Sequence, residues 1–147
     1  MNSVWRVVFD TSTLVGVALK PGSVPHRALG LALQQCEVCM SAATLAELDE
    51  VLSRDKFDRY MPQATRMALA ALMRVHSRLL EVTSADEAAL QSPCRDPKDN
   101  KFLALAKVAG AQVLVTSDSD LLSLNPWCGV QVITPAAFTA FFGQSAI

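Results

Sequence analysis

The sequence predicts a three-layer α/β sandwich with a mainly parallel central sheet, and three observations carry that prediction. Short apolar, β-branched runs such as VWRVVF at 4–9 do not alternate with polar residues, as expected of strands covered on both faces. Those runs take turns with helix-length amphipathic stretches, the βαβα order of a parallel sheet. Residues of the hydrophobic class make up 51% of the chain and aromatics only 6%, a balance that suits helices packed on a covered sheet better than a β-sandwich. A chain of 147 residues fits one domain, 1–147, large enough to bury a core without disulfides or a structural metal.

Strand one, 4–9, stops at Asp10. Pro21 and Gly22 make a turn, and Pro25 stands at the start of a helix running to Gln35. A short strand at 37–40 leads to Ser41, an N-cap for the helix 42–54 with its apolar stripe of Leu45, Leu48, Val51 and Leu52. A short helix is expected over 56–61. Pro62 then opens a long amphipathic helix, 62–79, carrying Met67, Leu69, Leu72, Met73, Val75 and Leu79. The helices 42–54 and 62–79 are read as a projecting arm or a dimer surface. A minor strand at 80–83, a short helix at 85–91 and a loop at 92–95 follow. Pro97 discourages an early helix start, so the next helix spans 100–109 and ends at Gly110. Strand 112–116 gives way to a short helix entered at Leu121. Trp127 is read as a turn residue against the core, 130–133 as a closing strand, and Thr134 with Pro135 as the opening of the last helix.

Within that framework Asp10, Glu47, Asp99 and Asp118 each fall where a strand has just ended or a helix has just begun. In a parallel βαβ sheet those places share one edge, so acids far apart in sequence meet. Carboxylates gathered together repel and take up protons unless a cation sits among them. Mg²⁺ or Mn²⁺ is the expected cation, because hard oxygen ligands, retained waters and substrate phosphate oxygens complete its shell. The corresponding chemistry is attack of a metal-activated water on a phosphodiester, with one ion or two. Asp120 is placed to join Asp118 on the metal. Thr11, Ser12, Asp96 and Thr116 are placed to fix carboxylates or metal-bound waters. Taken singly, each acid also reads as a helix cap, with Glu47 pairing Thr44 in a T-x-x-E box; four independent caps on one edge are the less economical account.

Net charge is −1, which by itself favours no partner, but with the acids gathered in one place the rest of the surface is basic by difference. Arg54, Lys56, Arg59, Arg95, Lys98 and Lys101 flank Glu47 or Asp99 in sequence, and Arg54, Lys56, Lys98 and Lys101 are the expected contacts to a phosphate backbone. Cys36, Cys39, Cys94 and Cys128 lack the second matched pair of a zinc ribbon and are read as reduced thiols. His26 and His76 are isolated. With Arg6 inside its first apolar run and no small-residue cleavage site, the chain is expected in the cytoplasm, without signal peptide or membrane anchor.

Four blocks, VVFDTS at 7–12, ELDEVL at 47–52, RDPKDNKFLALA at 95–106 and LVTSDSDLL at 114–122, together resemble the PIN domain family, in the branch of toxin components of toxin–antitoxin systems. The resemblance runs from Val4 to about Phe141. It implies a Rossmann-like fold and a Mg²⁺- or Mn²⁺-dependent ribonuclease acting on single-stranded RNA, with Asp10, Glu47, Asp99 and Asp118 as the site. It implies also a homodimer and a small antitoxin protein, often itself a DNA-binding repressor. One departure is Ser12, where the family commonly has asparagine. Two other readings stay open: a PIN fold kept as a non-catalytic RNA- or partner-binding module, and a haloacid-dehalogenase-type phosphatase, which would want an aspartate at position 12.

Overall fold

A computed structural model of the chain describes residues 4–90 and 96–143. Its sheet is built on strand β1 (Arg6–Phe9), where Val7, Val8 and Phe9 are wholly buried. Four further strands, β2 (Glu37–Ser41), β3 (Arg78–Leu80), β4 (Val113–Val115) and β5 (Gln131–Ile133), give the order β3-β2-β1-β4-β5, and every pairing is parallel. Val7 lies opposite Val38 on one side and Val113 on the other. Because successive side chains face opposite ways, Val7 and Phe9 join one core and Val8 the other.

The first core packs α1 (Thr11–Leu19), α2 (Val24–Gln35), α3 (Ala42–Leu52), α4 (Gln63–His76) and α8 (Pro135–Gly143) on one face. On the opposite face lie α6 (Asn100–Ala109), α7 (Ser119–Leu122) and Trp127, with α5 (Ser84–Ala88) alongside α6. These are the three expected layers. The chain builds outward from β1 to β2 and β3, then returns to lay β4 on the other side of β1. Such a reversal opens a crevice at the carboxyl ends of the two central strands, and Asp10 follows β1 there while Thr116 to Asp118 follow β4.

Helix starts are fixed by side chains. Asp10 accepts the Thr13 N–H at 2.9 Å and Ser23 the His26 N–H at 3.4 Å, with Pro25 in the first turn of α2. At α3 the box is Ser41 with Thr44: each side-chain oxygen accepts the other's backbone N–H, at 3.2 and 2.9 Å. Ser41 is buried, so Ser41→Ala is expected to cost about 1 kcal/mol or somewhat more, read as a lowered urea midpoint with an unchanged slope. Gly110 ends α6 at φ 64°, a left-handed turn that only glycine adopts freely.

Several boundaries differ from expectation, each for a tertiary reason. The apolar period of 62–79 continues past the true end of α4 at His76. Ser77 turns both its N–H and its hydroxyl onto the Met73 carbonyl, and residues 78–80 go extended to pair with β2, Cys39 facing Arg78. The minor strand is therefore 78–80, not 80–83, and Thr83 instead caps α5 with Asp86. Helix α3 stops at Leu52, and 56–61 is no helix beyond a single 3-10 turn at Asp55–Phe57. Strand β1 begins at Arg6, and α7 begins at Ser119 because Asp118 caps it. The expected apolar stripe is split: Met73 is buried on α4, whereas Leu72 and Val75 of α4 and Leu79 of β3 are exposed. Trp127 is buried and bridges to Val130, as the sequence suggests. Cys36, Cys39 and Cys128 are free thiols, and burial pushes Cys36 up to about 11, which keeps it unreactive. Gln91, the loop 92–95, Cys94 and Arg95 lie outside the described residues. Among the described residues, no helix is long and apolar enough to cross a membrane.

Candidate active site

Asp10 is 3% exposed, at the carboxyl end of the central strand. Its Oδ1 takes the Thr13 N–H, and its Oδ2 takes the hydroxyls of Thr116 at 2.5 Å and Ser12 at 3.4 Å. Burial pushes the Asp10 carboxyl above its ordinary range, against the pull of the Thr116 and Thr13 hydrogen bonds. The same Thr116 oxygen accepts the Asp118 N–H at 2.9 Å, so one hydroxyl ties the end of β1 to the end of β4. Asp118 in turn receives the Leu121 N–H at 3.0 Å. Ser12 thus supplies a hydrogen bond to Asp10.

Asp99 closes a 3-10 turn, Pro97–Asp99, and makes no side-chain cap bond to α6. Partial burial, followed by the charges of Asp118, Asp96, Asp10 and Glu47, pushes its carboxyl up to about 6. Asp96 caps that turn by accepting the Lys98 N–H at 3.0 Å. Glu47 stands in the second turn of α3, outside the Ser41–Thr44 box, and one of its oxygens accepts Lys101 Nζ at 2.5 Å. Lys101 also donates to the Lys98 carbonyl at 2.7 Å.

Most of these groups face one cavity of about 410 Å³. Asp10, Glu47, Asp96, Asp99 and Asp118 line it together with Thr11 and Ser12; Arg54, Lys56 and Lys98 add positive charge, and Val15, Val51, Phe57 and Phe102 form apolar walls. Four acids from four separate segments therefore share a pocket, as their placement predicts. Helix capping accounts for Asp10 and Asp118, which do cap, but not for Glu47 or Asp99. Asp120 lies in the first turn of α7 and is not on the cavity wall, nor is Lys101, whose ammonium sits on Glu47 instead of facing outward. Thr116 lies beneath the cavity floor, bound to Asp10.

The donor set is all oxygen, which suits Mg²⁺ or Mn²⁺ rather than a softer metal. Among the described residues no three acids are already drawn together as a closed ligand set.

Partial burial of the Asp99 charge, together with repulsion from its acidic neighbours, has a measurable cost in the metal-free protein. Asp99 ionises near 3.8 when unfolded and about 6 when folded, so between those values the folded chain holds the extra proton and stability falls as pH rises. With chelator present, Asp99→Asn should raise the melting temperature at neutral pH, and the gain should vanish as pH falls through about 6 toward 3.8.

Two features escape the sequence reading. Phe57 joins the cavity wall from a segment expected to be a short helix. Arg66 is 0% exposed; its only sequence signal is register, since 66, 70 and 73 share the buried face of α4.

A parallel sheet reversing between its central strands, with acids gathered at that reversal, defines a Rossmann-like domain with a carboxylate-lined pocket. The chain belongs to the PIN domain family, whose model matches residues 6–120. That match displaces the phosphatase alternative. No curated protein sequence is matched. Among solved structures, the fold is similar to VapBC2 from Rickettsia felis bound to a DNA fragment from their promoter, with 14% identity and a TM-score of 0.64 over 88% of this chain and 98% of that one. It is similar also to Mycobacterium tuberculosis VapC20, a sarcin-ricin loop cleaving toxin, at 18% identity and TM-score 0.57 over 85% and 98%. FitAcB from Neisseria gonorrhoeae aligns at 20% identity and TM-score 0.59 over 88% and 98%.

Proposed function

We propose that this chain, as one nuclease domain over 1–147, is a cytoplasmic Mg²⁺- or Mn²⁺-dependent endoribonuclease acting on single-stranded RNA, and the toxin of a toxin–antitoxin pair. The observation that carries the reading is the convergence of Asp10, Glu47, Asp99 and Asp118 on one cavity rimmed by Arg54, Lys56 and Lys98. Asp10, Asp99 and Asp118, with Glu47, would hold the cation. When bound, it would offset phosphate charge and lower the pKa of a water for in-line attack. The chain's own part is to fix the carboxylates: Thr116 and Ser12 hold Asp10, and the α7 cap holds Asp118. Arg54, Lys56 and Lys98 would bind the backbone phosphates on either side of the scissile bond. The toxin role is supported by the kinds of protein that share the fold, VapBC and FitAcB, and it calls for a small antitoxin partner. The exposed Leu72, Val75 and Leu79 give a homodimer an apolar surface.

Incubating the purified chain with end-labelled single-stranded RNA should give shortened products with Mg²⁺ or Mn²⁺ and none with chelator. Intact RNA in both metals, together with no heat of Mn²⁺ uptake by calorimetry, would remove the nuclease reading. A non-catalytic RNA-binding module is the second reading, favoured by Lys101 already neutralising Glu47; it predicts RNA retention without cleavage.

A further inference from the structure

The segment between α3 and α4 carries Arg54, Lys56 and Phe57 into the cavity wall, yet it has little regular structure of its own. Its single 3-10 turn spans three residues, and most of its side chains are exposed. Segments with so few buried contacts open locally at low cost. What ties this one down is a side chain from the next helix.

Arg66 projects from the buried face of α4 and is wholly enclosed. Its Nε donates to the Leu52 carbonyl at 2.8 Å, Nη2 to the Arg54 carbonyl at 3.2 Å, and Nη1 to the Met61 carbonyl at 2.5 Å and to Asp58 Oδ1 at 2.9 Å. Its guanidinium lies 6.0 Å from the centre of the Phe57 ring. The acceptors begin at the last residue of α3 and end just before α4, so a single planar group closes both ends of the connection. Leu52 offers a carbonyl left without a backbone partner where α3 stops, and the Arg54 carbonyl, which already accepts the Phe57 N–H at 3.2 Å, takes the guanidinium as a second donor. Lysine cannot reproduce this, having one compact ammonium in place of a rigid fork of donors.

Resting on the nuclease reading above, we infer that Arg66 is a positioning residue: it holds the 53–61 segment as a fixed wall on which Arg54 and Lys56 engage the RNA backbone. Burying an arginine only to stabilise the fold would not require its acceptors to cluster on a segment that brings two cations to the pocket, Lys56 and Arg54, the latter paired with Glu50 one helical turn back. Asp58 supplies the counter-charge, and its own side chain is 57% exposed. Asp58→Asn therefore weakens the clasp from its solvent side and leaves the buried fork in place.

The test compares wild type, Arg66→Lys and Asp58→Asn by cleavage kinetics, RNA binding by fluorescence anisotropy, and amide hydrogen exchange on the same samples. In Arg66→Lys the amides of 57–61 are expected to exchange faster while those of β1, β4 and α6 do not change. KM for RNA should rise about tenfold with kcat nearly constant, and the slope of log Kd against log salt should fall by roughly one to two as the cations disengage. Asp58→Asn should move every readout in the same direction by less, and it decides the matter if Arg66→Lys fails to fold. Unchanged exchange at 57–61, or faster exchange with KM, Kd and salt slope all unchanged, overturns the inference. A wild-type chain that binds RNA without cutting it removes the nuclease reading, while Kd and salt slope still judge Arg66. One that neither cuts nor binds removes both.

Discussion

Asp99→Asn is expected to lower kcat/KM for metal-dependent RNA cleavage by about 10²–10³-fold, the scale of losing one preorganised charge from a reacting site. The substitution is close to isosteric, and Asp99 makes no cap bond to α6, so the fold has nothing to lose from it. Relief of the burial cost of its charge, and then of repulsion from Asp118, Asp96, Asp10 and Glu47, should even raise the melting temperature without metal. Lost activity alongside gained stability is a signature that general unfolding cannot imitate. Asp10→Asn should lose activity to a similar degree, since asparagine keeps an oxygen for the Thr13 N–H but not the charge. Circular dichroism would monitor folding, and full cleavage by both variants would mean that the chemistry lies elsewhere.

Thr116→Val is the second large effect. It keeps the shape of the side chain and removes one hydroxyl, yet that hydroxyl serves two groups: it donates to Asp10 Oδ2 and accepts from the Asp118 N–H. Both acids lose their fixed orientation together. Mn²⁺ affinity should weaken about 10–100-fold, the usual consequence of removing a group that orients metal ligands, and a partly buried N–H left without its acceptor should cost about 1 kcal/mol of stability. Thr116→Ser should restore most of both. Calorimetric titration with Mn²⁺ and urea denaturation measure the two effects separately, and unaltered Mn²⁺ affinity in Thr116→Val would free the acids from dependence on this hydroxyl.

Much of this is legible in the sequence, because the strongest local signals and the fold agree. Val7, Val8 and Phe9, or Val113 to Val115, are short continuous apolar runs that suit covered strands, and an acid follows each. The sheet's reversal then brings Asp10 and Asp118 together from topology alone. Glu47 and Asp99 follow because α3 and α6 start on the same edge. Local pattern fails where a distant partner decides. The helical period of Val75 and Leu79 runs on smoothly, but β2 has an open edge that recruits 78–80, and a sheet pairing outweighs a weak preference. Lys101 shows the same limit within the site: its position beside Asp99 suggests a phosphate contact, whereas the packing of α6 near α3 turns it onto Glu47. Arg66 is hidden for a related reason. An arginine normally belongs outside, and only the carbonyls of a neighbouring segment make its burial favourable.

Thr116 reaches Asp10 across 106 positions of sequence, and Asp118 lies further on still. During translation, most of the polypeptide must leave the ribosome before β4 can dock beside β1 and complete the pocket. A half-synthesised chain thus has only part of its pocket, and whatever chemistry that pocket performs must wait until synthesis is nearly done.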